Sequence, residues 1–333
     1  MGLMTSFGVG VSGLNAAQSS LNATAHNITN ADTKGYVRQQ VLTVDKEYAK
    51  TATVRGMDQT GHGTLIDKIR QLRDRFLDAA YRKESGRQGF YQAQAEAVTE
   101  VENLFGELEG TTFQSSMEGL WKAVQELQKE PESKVARTAL VETANTFIER
   151  CQSISTQLKS FRQDLNLKVK NTVDRINTIG KRIDELNTLI RKEEAGEQEA
   201  NDYRDERNKL LDELGGYVKM SYKEVRDGTI LVTVEGTQFV TEFGVNEIGL
   251  KTTDDGLNLH TPVWNFDTND DGEPREVFNF SVPPTAAADT DIGSLKGLLL
   301  SRGTQGRYTD IPVQPKPEDY ENGEEDEYYI SAM

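Results

Sequence analysis

Residues 158–190 read LKSFRQDLNLKVKNTVDRINTIGKRIDELNTLI. Leu158, Leu165, Val169, Thr172, Ile176, Ile179, Ile183, Leu186 and Ile190 follow one another in alternating steps of four and three, with Arg162 in one place of the series. That rhythm is the signature of a coiled-coil seam, a narrow apolar stripe kept on one side of a helix and buried against other helices. It predicts a single long helix from about Lys134 to Lys192, the spine of an elongated antiparallel bundle.

The flanking segments supply its partners. Upstream, Leu65 to about Phe105 reads as helix, with Leu65, Ile69, Leu72, Phe76 and Ala80 on one face. Tyr91, Ala95, Val98 and Phe105 resume that face after a weak point at Ser85-Gly86 and Gly89. Gly106 to Thr112 is a loop, and Phe113–Gln128 forms a further helix with Trp121 on its apolar side. Glu130-Pro131-Glu132-Ser133 interrupts the pattern and starts the long helix. Downstream, residues 198–214 return as helix, capped by Gly215-Gly216. Its Arg204, Asp205 and Glu206 read as a solvated face without chemistry.

After Tyr217 the period changes from helical to alternating. Val218, Met220 and Tyr222 alternate, and Val225–Val234 reads as a hairpin turning at Asp227-Gly228. Residues 217–285 therefore form a small β-rich part. Asp267-x-Asn269-x-Asp271-Gly272 copies half of a calcium loop, but Phe278 holds the place where a bidentate Glu is required, so a polar turn is expected instead. The fold class is mainly α, an elongated helical bundle with an N-terminal heptad helix and a smaller β-rich domain.

That heptad helix occupies residues 6–30. Phe7, Val11, Leu14, Leu21, Ala25 and Ile28 repeat the four-three steps, Gln18 fills the remaining place, and no Asp, Glu, Lys or Arg precedes Asp32. A helix of about 23 residues is roughly 35 Å long, and so narrow a seam is buried only against another helix. The partner belongs either to this chain or to another subunit. Gly8, Gly10 and Gly13 spell G-x-G-x-x-G, but a dinucleotide fingerprint follows a buried strand and none fits before them. Asn27 to Tyr36 ends the helix in residues suited to caps and tight turns, and Val37–Val44 alternates as a strand.

Composition narrows the function. The chain has 333 residues, a formal charge of -16, one cysteine (Cys151) and three histidines. Nucleic acid is an unfavourable partner for that charge. An internal disulfide or a cysteine-built zinc site is impossible, and no metal or other cofactor is expected. No run reaches the roughly 18 apolar residues of a membrane span, and residues 1–6 do not read as a secretory signal. No catalytic constellation emerges, so the expectation is a structural protein rather than an enzyme.

Asn27-Ile28-x-Asn30-x-x-Thr33-x-Gly35-Tyr36 resembles the N-terminal signature of the bacterial flagellar axial proteins, the family of rod, hook and hook-associated subunits. Its continuation through Arg38 and Gln39 is similar to the hook-associated branch. Three further matches follow in family order: Gly61-His62-Gly63-Thr64 with Ile69–Leu77, Pro131-Glu132-Ser133 with Ala136-Arg137, and Arg204–Leu214. Gly293–Leu299 is similar to the segment that precedes the family's C-terminal helices.

The resemblance implies a subunit of the hook–filament junction, outside the cell on the flagellum. It would be exported by the flagellar type III route and polymerised through terminal helices that line the tube. Implied partners are copies of itself, the hook protein, the next junction protein and an export chaperone acting on a C-terminal region. Residues 1–36 would be the assembly element, 37–216 the bundle with short strands near its start, 217–300 the β-rich domain and 301–333 an acidic, proline-rich disordered or loop segment. Pro312, Pro315, Pro317 and seven acids between Glu318 and Glu327 stand where the family expects an apolar helix, so a fragment, or a chain cut inside an insertion, is expected. The rival readings are a hook or distal rod subunit, a flagellar peptidoglycan-cleaving enzyme, and a coiled-coil adaptor that does not polymerise.

Overall fold

The computed structural model describes residues 3–33, 35–46, 49–53, 56–105, 112–196, 200–252, 258–268, 272–281 and 283–303. The 106–111 loop, the 269–271 part of the calcium-like segment and the acidic residues 304–333 lie outside them. The described chain is mainly helical and divides into two compact units. Of the described residues, the first holds those within 3–86, 175–248 and 264–273, and the second those within 87–174, 249–263 and 274–303.

In the first unit α1 (Leu3–Thr29) leads into β1 (Gln39–Asp45), the hairpin β2 (Ala49–Thr53) and β3 (Gly56–Thr60), and β4 (Thr64–Gln71). β1 and β4 pair antiparallel from Gln39↔Gln71 to Asp45↔Thr64, with a bulge at Leu42/Thr43. Residues 64–71 are thus strand, not helix. Leu65, Ile69 and Leu72 satisfy an i, i+4 pattern, but the ladder to β1 claims the backbone. Helix α2 (Arg75–Phe105) starts only at Asp74, whose carboxylate accepts the Phe76 and Leu77 amides at 2.8 and 3.3 Å. No break occurs in it at Ser85-Gly86 or Gly89.

The long helix α4 (Lys134–Glu194) follows α3 (Phe113–Lys129) and is the spine expected. Leu165, Val169, Ile176, Ile179, Ile183, Leu186 and Ile190 are all buried. Val173 takes the core place assigned to Thr172, whose hydroxyl instead bonds back to the Lys168 carbonyl. In the first unit α4 packs between α5 (Asn201–Tyr217) and a four-stranded meander. The meander is β5 (Met220–Glu224), β6 (Ile230–Val234), β7 (Thr237–Thr241) and β8 (Gly244–Val245). At Gly180 the Phe239 ring comes so close that a Cβ would sit 2.5 Å from it. Leu211 and Leu214 of α5 close the other side. Gly215 and Gly216 lie inside α5 rather than capping it, because Gly215 lets the backbone of Arg82 approach.

Polar side chains fix this packing. Asn187 grips β6 with both amide atoms, to the Ile230 carbonyl (2.9 Å) and amide (3.0 Å). Asn177 does the same to Ile248. In the second unit Asn166 holds the Asn258 carbonyl and the His260 amide. Arg207, fully buried, donates to Asn187 and to the Gly228 carbonyl, and burial pulls its pKa down to about 10. Arg204 bridges Glu194 and Glu224, and Arg82 binds Asp212. Arg204 and Arg207 of α5 are therefore held in buried or partly buried pairings, whereas Glu206 pairs with Arg182 in a half-exposed position.

β9 (Ile248–Thr252), β10 (His260–Thr268) and β11 (Pro274–Glu276) form a sheet in the order β11-β10-β9, and the second unit joins the rest of α2 and α4 to α3 and α6 (Ser294–Arg302). Its α2 face is Phe90, Ala93 and Ala97, one position away from the Tyr91–Ala95–Val98 stripe read from the sequence, whose members are exposed. The reason is close approach: a Cβ on Gly297 of α6 would lie 2.6 Å from the Phe90 carbonyl, so only small residues fit. Trp121 is also exposed, whereas Phe113, Ser116, Leu120, Ala123 and Leu127 form the inner side of α3.

Candidate assembly site

α1 presents two faces of opposite character. Ala16 and Ala23 are buried and Ser12 and Ser19 half-buried, where α1 meets β1 and β4. Small side chains there let the helix lie close to the strands. The Ser12 hydroxyl accepts the Thr64 amide at 3.2 Å and donates to the Val9 carbonyl at 2.8 Å. Gly63, with φ +96, leaves the room: a Cβ there would be 2.1 Å from the Ser12 hydroxyl. On the other face Phe7, Val11, Leu14, Gln18, Leu21, Ala25 and Ile28 are every one exposed, with Phe7 at 72%, Leu14 at 68% and Ile28 at 71%. The heptad seam is thus open in the single chain while the rest of the helix is held.

The turn after α1 is a latch. Asn27 accepts the Gln39 amide and the Tyr36 hydroxyl, both at 2.8 Å, and donates to the Gln39 carbonyl at 2.9 Å. Tyr36 lies 2.9 Å from a His26 ring nitrogen and stacks edge-on against that ring. Asn30 donates to the His26 carbonyl, and Thr33 donates to the Asn30 carboxamide oxygen and from its amide to the Asn30 carbonyl. Gly35 takes φ +89, a left-handed backbone that favours glycine. Arg38 contributes through its backbone carbonyl, which accepts the Leu72 amide, while its side chain is exposed.

Sequence reading missed the groups that tie this latch down. Asp205 of α5 accepts the Val37 amide (3.4 Å) and the Gln71 side chain (2.8 Å), and Gln71 also donates to the Asn201 carbonyl. Asn201 in turn donates to the Ile69 carbonyl at 2.9 Å. Burial pushes the Asp205 carboxyl up to about 6 against the pull of these donors. Burial and the Asp205 and Asp202 charges hold the Tyr36 phenol above its ordinary range. A cleft of about 780 Å³ is lined by Asn22, His26, Ile66, Ile69, Asn201 and Tyr203. Among the described residues no group of His, Cys, Asp and Glu is placed to hold a metal ion.

Known proteins match both the stretch that carries the open seam and the body behind it. The family model described as flagellar hook-associated protein FlgK helical domain covers residues 98–310. The chain belongs to the FlgK family. A second model, flagella basal body rod protein, matches residues 7–36, from the first seam residue to the latch tyrosine.

Among the FlgK relatives, flagellar hook-associated protein 1 of Bacillus subtilis is 30% identical over 303 residues, 87% of this chain. The chain spans 58% of that relative's length. The Escherichia coli protein of the same name is 24% identical over 226 residues, covering 67% of this chain and 40% of the relative. The flagellar hook junction protein FlgK from Burkholderia pseudomallei superposes with a TM-score of 0.54 at 18% identity, over 69% of this chain and 39% of that one. That likeness shows the fold.

Proposed function

We propose that this chain is a structural subunit of the bacterial flagellum at the hook–filament junction, polymerised through the α1 seam and without catalytic activity. The observation that carries the reading is the exposure of Phe7, Val11, Leu14, Leu21, Ala25 and Ile28 on a helix whose opposite face is seated on β1 and β4. Burying each large seam side chain contributes about 1.5–3 kcal/mol before ordering entropy is subtracted. That gain arises only when neighbouring helices arrive, so the chain stays soluble until it assembles.

In this reading the latch of Asn27, Asn30, Thr33, Gly35, Tyr36, Arg38 and Gln39 fixes the angle at which α1 leaves the body. Residues 1–36 form the assembly element, 37–216 the bundle, and 217–300 the β-rich part, with 301–333 a separate acidic segment. Its neighbours are copies of itself, the hook protein and the next junction protein. Export through the flagellar type III apparatus, with a chaperone, belongs to the same reading.

The test is Leu14→Asp or Leu21→Asp, made separately in the full chain. Both positions face solvent, so circular dichroism and thermal melting should match the parent protein. Incorporation into flagella, followed by immunolabelling and by swimming of a strain lacking its own copy, should be abolished. Normal incorporation of either variant would remove the seam from the mechanism.

A further inference from the structure

Helix α3 carries a second open stripe. Met117, Trp121 and Val124 are spaced four and three, so they share one line of the helix, and all three are exposed, Trp121 at 65%. They are distinct from the inner side, where Phe113 meets the rings of Phe105 and Phe147. The line continues in both directions through uncharged side chains, Gln114 and Gln128. The charges beside it balance: Glu118 and Glu126 against Lys122 and Lys129, with Glu126 and Lys129 in contact at 2.6 Å.

We infer that this stripe is a second docking surface on which a further copy of the chain sits in the assembled state. The inference rests on the subunit reading above. Charge selects the occupant. Two copies of a chain with formal charge -16 repel across most of their surfaces. Contact between like copies is cheap only where exposed apolar area coincides with no net charge. The α1 seam meets that condition, and so does α3, with two acids and two bases along Phe113–Lys129.

Assembly logic requires more than one such place. Subunits in an open helical array meet through heterologous contacts, each using two different patches. Size sets when the contact forms. A line of three side chains falls far short of the roughly 1,200 Å² that a stable pair buries in total. It gives no dimer in dilute solution. Once the α1 seams hold copies side by side, the second contact becomes effectively intramolecular and adds to the hold.

The chain has two tryptophans, and they report on opposite environments: Trp264 is 1% exposed, Trp121 65%. Acrylamide quenching of the purified full chain therefore reads Trp121. In dilute monomer its emission should be red-shifted and readily quenched. In sedimentable assemblies quenching should fall several-fold, to the level of the buried Trp264. The companion variant is Trp121→Glu, at a position whose exposure leaves melting unchanged. It should raise the concentration needed for assembly by about tenfold. If assemblies form and Trp121 stays as quenchable as in monomer, or Trp121→Glu assembles like the parent, the docking surface is overturned while the seam stands. If the chain forms no assemblies under any condition, the subunit reading falls and takes the docking surface with it.

Discussion

At the scale of single residues, the body is held in part by buried side chains that serve backbone groups. Asn187 satisfies both the amide and the carbonyl of Ile230 and is itself bonded to the buried Arg207. Asn187→Ala leaves three buried polar groups without that partner. An unsatisfied buried group costs about 1–3 kcal/mol, so the variant should lose at least about 2 kcal/mol in urea unfolding. A loss below about 0.5 kcal/mol would mean that water replaces the clamp.

Asp205 gives a different test. Its folded pKa of about 6 lies above the roughly 3.9 of an unfolded aspartate, so the folded state binds this proton more tightly. Its contribution is fully present below about pH 4 and is lost as pH rises through about 6. Glu213 acts oppositely: the Arg175 hydrogen bond lowers its pKa, and its contribution is lost as pH falls. The difference between parent and Asp205→Asn cancels such terms. Relative to the variant, the parent should become more stable as pH drops from 7 to 4. A flat difference would place Asp205 in water.

Neither residue's role was legible in the sequence. Asn27, Tyr36 and Gln39 sit close enough for a motif to reveal them. Asp205 meets Val37 across 168 positions, and only the folded bundle brings them together.

At the scale of elements, legibility followed side-chain size. The α4 seam of Ile, Leu and Val is unmistakable because from Leu165 to Ile190 each of these residues is buried in its place. On α2 size points to the wrong stripe, because Ala93 and Ala97 are buried while the larger Tyr91 and Val98 point outward. β4 reads as helix in the sequence because one amphipathic strand satisfies both periods over so short a run.

One close contact contributes to the anchoring of α1. Gly63 combines a positive φ with a hydroxyl where its Cβ would be. Gly63→Ala should therefore loosen the N-terminal half of α1 and leave the bundle intact. At about 1–2 kcal/mol the opened population rises roughly 5–30-fold. Limited proteolysis within residues 9–20 should accelerate by that factor while thermal melting of the body stays unchanged. Unchanged cleavage would show that Ala16, Ala23 and the latch suffice.

For the molecule as a whole, charge and assembly oppose each other. The 54 acidic residues outnumber the 38 basic ones, yet α1 contains no Asp, Glu, Lys or Arg. On the proposed reading the attractive surface is neutral, and the repulsion comes from the acidic remainder of the chain. Such repulsion is long-ranged: the screening length is about 30 Å at 0.01 M salt and about 10 Å at 0.1 M. Apolar contact within the seam is short-ranged and is not weakened by the same salt. Self-association of the purified chain should strengthen as salt rises from about 0.01 to 0.15 M. The concentration at half-assembly, followed by sedimentation, should fall by about tenfold or more. Leu14→Asp should show no such gain, since it removes the contact that screening uncovers. Association that weakens with salt would mean that ion pairs hold the copies together, and the contact would then be sought on the charged body instead of on α1.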